Sequence, residues 1–383
     1  MANVEESRDQ DYISVDHMAL KSWVTEVFCK LGVPREDADV TADVLVAADL
    51  RGIESHGVAR LGRYTSRLMK GLISPVANPV IVRETSSTAL VDGNNGLGQP
   101  VARWAMQLAI DKAREVGSGT VAVRNSNHYG IAGYYAMMAL EHDMIGMSLT
   151  NSSPLVVPTG GRKAVIGTNP IAVAIPAGKE SPWVLDMATS VVPRGKLEVY
   201  ARKNKPMPLG WAVDETGQPT TDAQRVLDAL TARLGGGILP LGGTALFSGY
   251  KGYNLSVMVD LLCGVLPGSN WGPKVDEPVD GKLVPSRVGH FFWALRVDAF
   301  RPIDEFKQEM DDYIRMLKES PKAEGEDRIW VAGEKEWELQ EEYSREGVPL
   351  YYKVVETLRG IGQEVGLPFD AMVLGAGHST GMA

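Results

Sequence analysis

A histidine and three arginines recur at helical spacing near residue 60, and this segment is the first in the chain that suggests chemistry. A short helix is predicted from Glu54 past Tyr64, and about 100° per residue brings four side chains into one sector: His56, Arg60, Arg63 and Arg67. Histidine exchanges protons near neutral pH, and the planar fork of arginine fits a carboxylate. The set suits a substrate with a carboxylate beside a protonatable group. The alternative is a solvated basic face with an ordinary surface histidine.

Two further candidate groups lie where a predicted strand gives way to a helix. His128 follows the strand of residues 120–124, at a junction of the kind that often carries chemistry, although a histidine that merely hydrogen-bonds within the turn fits the same pattern. Asp186 ends an apolar strand that starts at Trp183. Its carboxylate either lies at the terminus of the next helix or orients and stabilises an imidazolium.

Phosphate-binding patterns are weak in this sequence. Lys251 lies among glycines at a predicted helix start, which offers an ammonium and free N–H groups to a phosphate, but the motif is short. The turn at residues 92–98 imitates a dinucleotide fingerprint, yet Val101 stands where that motif needs Gly or Ala, and no acidic strand end follows about 20 residues on. No P-loop string occurs. We therefore expect a structural turn and no Rossmann site.

The composition is that of an ordinary globular chain. Its 383 residues are 44% hydrophobic and 23% charged, which is enough for two or more domains. A net charge of −9 argues against nucleic acid or an anionic membrane as the main partner. We find no apolar run long enough to span a bilayer and expect a cytoplasmic protein. Cys29 and Cys263 read as small core residues, and no His or Cys pair has the spacing of metal ligands.

Apolar periodicity divides the chain into three parts and predicts a mixed α/β fold. Residues 1–78 form a helical N-terminal unit that carries substrate-site residues, with Ser14 and Ser55 as plausible helix caps. Residues 79–325 alternate short β-branched strands with helices and form the central sheet, in which His290 is structural. Residues 326–383 contribute C-terminal helices that pack back on the N-terminal unit, and residues 375–381 read as a mobile tail.

Five short motifs occur in one order along the chain: Ser55-His56-Gly57 with Arg60 and Tyr64, Asn127-His128-Tyr129-Gly130, Gly167-Thr168-Asn169-Pro170, Leu185-Asp186-Met187-Ala188-Thr189-Ser190 and Tyr250-Lys251-Gly252-Tyr253. Together, over about residues 14–367, they resemble the type-2 malate/L-lactate dehydrogenase family. That family contains NAD(P)-dependent malate, lactate, sulfolactate and ureidoglycolate dehydrogenases and reductases of cyclic imino acids and of a diketo sugar acid. Its fold is not Rossmann, which agrees with the failed fingerprint at residues 92–98.

The resemblance implies roles for individual residues. It makes His56 a proton donor or acceptor with Ser55 and Asp186 as relay partners, and His128 a position that some members use as the catalytic base. Arg60 would bind the substrate carboxylate and Tyr64 would line the substrate pocket. The implied cofactor contacts are Ser126, Asp186, Met187, Ala188, Lys251, Gly333 and Glu334. The resemblance also implies a homodimer and matches neither Arg63 nor Arg67, which we expect to be solvated.

The expected function is the reversible reduction of a 2-oxo acid to a 2-hydroxy acid of the malate or L-lactate type, with NAD or NADP. A histidine can accept the hydroxyl proton during oxidation and donate it during reduction. An arginine that binds the carboxylate also fixes which face of the substrate is presented to the nicotinamide. We expect the nicotinamide in a cleft between the N-terminal unit and the sheet. Two alternatives stay open: a reductase of cyclic imino acids or of a diketo sugar acid in the same family, and a catalytically silent ligand-binding protein.

Overall fold

The computed structural model describes residues 11–369, so the expected mobile tail at residues 375–381 lies outside the described residues. The α-helices are α1 (His17–Lys30), α2 (Arg35–Leu50), α3 (Leu61–Met69), α4 (Gly98–Val116), α5 (Ala132–Met138), α6 (Arg194–Arg202), α7 (Ala223–Ala232), α8 (Tyr250–Asp260), α9 (Ile303–Glu319), α10 (Glu334–Glu346) and α11 (Tyr352–Val365). The strands are β1 (Tyr12–Val15), β2 (Val80–Glu84), β3 (Thr88–Asp92), β4 (Ser118–Ser126), β5 (Met144–Thr150), β6 (Ile171–Ile175), β7 (Trp183–Met187), β8 (Ala212–Val213), β9 (Pro219–Thr220), β10 (Gly237–Ile238), β11 (Val288–Arg296) and β12 (Val348–Tyr351).

A seven-stranded mixed sheet forms the centre, in the order β2-β3-β4-β11-β5-β6-β7. Only β3 and β4 pair in parallel, and every other neighbouring pair is antiparallel. A Rossmann sheet is mostly parallel, so the expectation of a mixed, non-Rossmann α/β fold is confirmed. A separate three-stranded sheet, β10-β8-β9, packs with α6 and α7 around the side chains of Leu197, Val226 and Ile238.

The glycine turn between β3 and α4 is structural. Asn94 and Asn95 adopt positive φ angles of 46° and 57°, and the N–H of Gly93 donates to the carbonyl of Arg124 on β4. A Cβ atom on Gly98 would lie 2.3 Å from the carbonyl oxygen of Asn127. Glycine at this point therefore lets the start of α4 press against the loop that carries His128.

The two ends of the described chain share one hydrophobic core. β1 pairs antiparallel with β12, from Tyr12 opposite Tyr351 to Val15 opposite Val348. Side chains of α1, α2 and α3 pack with Leu350 on β12 and with Val355, Leu358 and Ile361 on α11. Ser14 belongs to β1 and does not cap α1, because Asp16 fills that position and accepts the N–H of Ala19 at 2.7 Å.

The segment around His56 is not the single helix that periodicity predicts. Residues 54–56 and 58–60 form two 3-10 turns, and α3 begins only at Leu61. The break lies at Gly57, whose backbone is extended (φ −82°, ψ −151°). Ser55 is inside the first turn and does not cap a helix. The physical reason is Asp49 on α2, which accepts the N–H of Val58 at 2.8 Å and occupies the space beside Gly57.

Within residues 11–369, no helix has the length and apolar character needed to cross a membrane. Both cysteines are free thiols. Cys263 is buried as expected, whereas Cys29 is only half-buried.

Candidate active site

Two histidines from distant parts of the chain face each other. His56 comes from the 3-10 turn after α2, and His128 comes from the loop between β4 and α5. Their rings stack with centroids 5.6 Å apart and planes inclined by 22°. The fold therefore brings together the two histidines that the sequence singled out.

Tyr64 on α3 holds the ring of His128. Its hydroxyl lies 2.6 Å from Nδ1 of His128, and its side chain is buried. A phenol hydroxyl rotates to donate or to accept, so it satisfies either neutral tautomer of the imidazole. The contact fixes the ring orientation while Nε2 stays available to a reacting group.

His56 is held in a second chain of contacts that leads to Arg60. The hydroxyl of Ser55 lies 2.9 Å from Nδ1 of His56, and Nε of Arg60 donates to the carbonyl of Ser55 at 2.6 Å. Within the described part of the chain, the terminal nitrogens of Arg60 have no hydrogen-bond partner. Arg60 thus presents open N–H groups beside the histidine pair.

Burial keeps both histidines neutral near pH 7. Burial, aided by the charge of Arg60, lowers the pKa of His56 to about 4. Burial also places the pKa of His128 well below its usual value, with further contributions from His56, Arg63 and Arg60. Burial raises the pKa of Tyr64 to about 12, so its hydroxyl keeps its proton. The site combines two neutral imidazoles with a fixed positive charge.

Asp186 lies at the end of β7, on the wall of a cavity. One carboxylate oxygen accepts the N–H of Gly133 in the first turn of α5 at 2.7 Å. Among the described residues neither histidine hydrogen-bonds to it, so the contacts fit the helix-terminal interpretation, and its relay role stays a prediction. The side chain of Asp186 is exposed towards the cavity. Desolvation by the surrounding protein nevertheless raises its pKa to about 6; the charge of Arg51 acts to lower this pKa and the charge of Glu336 acts to raise it.

The cavity measures about 280 Å³. Ile53 and Ile131 line it, and each stands three residues along the chain from one of the two histidines. The other lining residues are Arg51, Gly133, Val184, Leu185, Asp186, Trp330, Val331, Ala332, Gly333, Lys335 and Glu336. The cavity therefore joins the histidine segment, the end of β7 and the turn before α10.

Sequence reasoning missed most of this lining. Arg51 is buried, stacks 4.3 Å from the ring of Trp337 and donates to Gln340 at 3.0 Å. Its position directly before the Gly52 helix stop and the Ser55-His56 motif is the one signal that could have drawn attention to it. Trp330 and Lys335 flank Gly333 and Glu334, the two residues of this segment that the resemblance did mark as cofactor contacts.

The other predicted cofactor contacts differ in their surroundings. Gly333 lines the cavity with its backbone, whereas the Glu334 carboxylate is buried in ion pairs with Lys318 at 2.9 Å and Arg328 at 2.7 Å. Met187 and Ala188 are half-buried at the end of β7. Lys251 is exposed in the first turn of α8, and no contact in residues 11–369 joins it to the cavity.

Ser126 is fully buried on β4. Its hydroxyl lies 2.9 Å from Nε2 of His290, whose Nδ1 meets Thr150 at 2.8 Å. His290 is thus a satisfied residue inside the sheet, as predicted. The described contacts commit the hydroxyl of Ser126 to His290, so its cofactor contact stays a prediction.

The expectation that Arg63 and Arg67 are solvated is wrong for Arg67. Its side chain is only 13% exposed and donates to Ser286 Oγ at 2.7 Å and to the carbonyl of Val284 at 3.2 Å. Both arginines pair with Asp276, at 3.1 Å from Arg63 and 3.4 Å from Arg67. Asp276 lies 213 residues beyond Arg63 in sequence, so no local pattern could predict the pair.

In the described part of the chain, no three His, Cys, Asp or Glu side chains come together as a possible metal site.

Comparison with known proteins gives one consistent result. The family model described as malate/L-lactate dehydrogenase matches residues 15–359. The chain is 49% identical to malate dehydrogenase from Pyrococcus abyssi over 360 residues, which cover 94% of this chain and 97% of that protein. It is 41% identical to malate/(S)-sulfolactate dehydrogenase from Methanothermus fervidus, over 91% and 96% of the two chains. The solved structure of malate dehydrogenase from Pyrococcus horikoshii OT3 superposes with a TM-score of 0.85 at 46% identity, covering 95% and 98% of the two chains.

Proposed function

Because the chain belongs to the malate/L-lactate dehydrogenase family, which interconverts 2-hydroxy and 2-oxo acids with NAD or NADP, we propose that malate and oxaloacetate are its substrate pair. The observation that carries the proposal is the facing pair of neutral histidines beside the open guanidinium of Arg60. Such a pair can move one proton while the arginine holds a carboxylate. The names of the relatives at 49% and 41% identity support malate as the acid.

The cavity fits the reactive end of a nicotinamide cofactor. About 280 Å³ is slightly below the volume of pockets for drug-sized ligands and suits one ring and its ribose rather than a whole dinucleotide. Trp330 lines the cavity, with Arg328 and Lys335 at 4.0 Å and 4.6 Å from its ring centroid, and Asp186 offers an anion to a ring that is positively charged when oxidised. When bound, the cofactor accepts or returns the hydride of the substrate's C2. The backbone of Gly333 and the side chains of Asp186 and Trp330 would hold it.

The chain's own residues handle the carboxylate and the proton. Arg60 would bind the substrate carboxylate through two parallel N–H···O bonds and so orient C2. His128 would take the hydroxyl proton at Nε2 during oxidation and return it to the carbonyl oxygen during reduction. The hydroxyl of Tyr64 would keep its hydrogen bond to Nδ1 of His128 in both protonation states, by donating to this atom or accepting from it. His56 and Ser55 would keep Arg60 in place and exclude water from the opposite side.

The test is a substrate panel for the wild-type chain and two variants. NADH and NADPH absorbance would be followed with oxaloacetate, pyruvate, a cyclic imino acid and a diketo sugar acid. We expect turnover with oxaloacetate and a loss of about 10²- to 10⁴-fold in kcat for His128→Ala. His142→Ala, whose ring contacts Arg114 on the surface, is the matched control and should keep wild-type turnover.

Each outcome of the panel selects one interpretation. Preference for the cyclic imino acid or the diketo sugar acid would replace the malate proposal by the alternative reductase. No oxidation of either cofactor with any substrate would favour the silent ligand-binding protein. Full turnover of folded His128→Ala would remove His128 from proton transfer and leave His56 for the same test.

We also propose a homodimer. Apolar side chains are exposed along residues 246–266, among them Leu246 at 85%, Phe247 at 73% and Leu266 at 61%. Several exposed apolar side chains within one segment are consistent with a protein interface. A second copy of the chain is the occupant that the family resemblance suggests.

A further inference from the structure

Arg63 is, like Arg60, a cation whose charge acts on His128. It lies three residues after Arg60 and directly before Tyr64, whose hydroxyl contacts His128. Residues three apart on a helix are neighbours, with Cβ atoms roughly 5–6 Å apart. The charge of Arg63 helps to lower the pKa of His128, after burial and the effect of His56. Both arginines therefore act on the same imidazole.

Arg63 is loosely held in comparison with Arg67. Its side chain is 42% exposed, against 13% for Arg67. In the part of the chain that the structure describes, only one of its nitrogens has a hydrogen-bond partner, a carboxylate oxygen of Asp276 at 3.1 Å. Most of the guanidinium fork is thus open, as it is in Arg60.

Asp276 does not depend on Arg63. Its carboxylate also accepts the hydroxyl of Ser153 at 2.6 Å and that of Ser286, and it pairs with Arg67 at 3.4 Å. If Arg63 turned to another anion, Asp276 would keep three partners. Releasing Arg63 therefore breaks one ion pair, whose arginine is 42% exposed and whose carboxylate is 17% exposed, and leaves the carboxylate with its other partners.

We propose that Arg63 determines specificity by binding a second anionic group, carried on C3 of the 2-oxo acid, while Arg60 binds the carboxylate on C1. The inference rests on the proposed function and adds the residue that would select a 2-oxo acid with an anionic group on C3 over one with an apolar C3. Two cations one helical turn apart match two anions that are separated by two carbon atoms. A monoanion would leave Arg63 without a substrate contact.

The test uses three 2-oxo acids that differ only on C3: pyruvate, oxaloacetate and 3-sulfopyruvate. We expect Arg63→Gln to lower kcat/KM for at least one of the two dianions by about tenfold to a hundredfold, mainly through KM, as expected when a hydrogen bond between charged groups is lost. The loss with pyruvate should be several-fold smaller. Arg63→Lys should recover part of the discrimination, because it restores the charge without the fork.

Asp276→Asn separates recognition from a merely structural role. If Arg63 only tethers the Asp276 segment, Asp276→Asn and Arg63→Gln will reduce activity with all three acids alike, and the inference is wrong. If Arg63 recognises the substrate, Asp276→Asn will preserve the preference for the dianion. Should Asp276→Asn fail to fold, the ratio of the three acids in Arg63→Gln and Arg63→Lys decides alone.

The wild-type result keeps the two proposals distinct. A wild-type chain that reduces none of the three acids overturns the proposed function and this inference with it. A wild-type chain that reduces them, but whose Arg63→Gln variant loses equally on all of them, overturns the inference alone.

Discussion

Asp186 lines the cavity, and its charge changes between pH 5 and 7. Desolvation raises its pKa to about 6, while the guanidinium of Arg51 and the carboxylate of Glu336 act on it in opposite directions. It is therefore mostly neutral at pH 5 and mostly ionised at pH 7. The histidines do not titrate in that interval, because the pKa of His56 is about 4 and that of His128 is also depressed.

The affinity for the oxidised cofactor should accordingly rise with pH. If Asp186 faces the nicotinamide, its ionised form attracts the positive ring of NAD⁺ or NADP⁺, and the dissociation constant should fall about threefold to tenfold from pH 5 to 7, for an attraction of roughly 1 kcal/mol. The reduced cofactor has a neutral ring and should change less. Titration of tryptophan fluorescence measures both constants.

Asp186→Asn should remove this pH dependence, whereas Glu338→Gln should retain it. Glu338 pairs with Arg328 and does not line the cavity, so it serves as the control carboxylate. An affinity for NAD⁺ or NADP⁺ that stays flat from pH 5 to 7 in the wild-type chain would contradict the assignment of Asp186 to the cofactor.

Residue types in the sequence predicted some of the candidate site residues, and the others could be recognised only from contacts in the structure. His56 and His128 were predicted from their types and surroundings, and they face each other. The sequence left two interpretations of Asp186 open, and its contact with the N–H of Gly133 fits the helix-terminal one. Arg51 was missed and Arg67 was expected to be solvated, because their partners, Trp337 and Asp276, are distant in sequence and no local spacing encodes such pairs.

At the scale of elements, the turn at Gly57 sets where His56 and Arg60 point. Asp49 on α2 accepts the N–H of Val58, and a Cβ atom on Gly57 would lie 1.8 Å from its Oδ1. The Asp49 carboxyl is buried, and desolvation raises its pKa well above the usual value. No side chain larger than hydrogen fits between the turn at Gly57 and α2.

Gly57→Ala should therefore damage both stability and activity. The methyl group must displace Asp49 or the turn, and we expect a loss of about 1–3 kcal/mol in the free energy of unfolding together with a fall in kcat. Denaturant unfolding and the oxaloacetate assay measure the two effects.

Gly360→Ala is the matched control for this substitution. Gly360 lies within α11, and a Cβ atom there would meet nothing within 4 Å. Because alanine favours the helix, this variant should be stabilised by about 0.5–1 kcal/mol and keep its activity. Wild-type stability and kcat in Gly57→Ala would show that the turn tolerates a side chain and that Asp49 does not position it.

Periodicity predicted long helices well and short or interrupted elements poorly. The C-terminal helices expected within residues 326–383 are present as α10, Glu334–Glu346, and α11, Tyr352–Val365. The pairing of β1 with β12 was missed, because four-residue strands carry little pattern and their partners lie far apart in sequence. The turn around Gly57 was predicted as a helix, because its periodicity continues through a break that Asp49 imposes.

At the scale of the whole molecule, the exposed apolar side chains within residues 246–266 predict self-association. The wild-type chain should have twice its chain mass of 41.5 kDa in solution. Leu261→Glu places a charge in this surface, where Leu261 is half exposed, and should shift the mass towards that of one chain. Light scattering coupled to size exclusion measures the mass.

Met18→Glu supplies the control for the dimer. Met18 is an exposed apolar residue on α1, outside residues 246–266. The Met18→Glu variant should have the same mass in solution as the wild-type protein. A wild-type mass of one chain would contradict the homodimer, and an unchanged dimer in Leu261→Glu would place the interface elsewhere.

The pairing of β1 with β12 has a consequence for synthesis on the ribosome. The side chains that support the turn at Gly57 share one core with those of α11: Val58, Leu61 and Tyr64 pack in the same cluster as Val355, Leu358 and Ile361. The strands of the central sheet all lie between residues 80 and 296, so they emerge from the ribosome well before this core can close. A nascent chain therefore exposes the strands of the central sheet first and gains a supported histidine pair only when α11 has been translated.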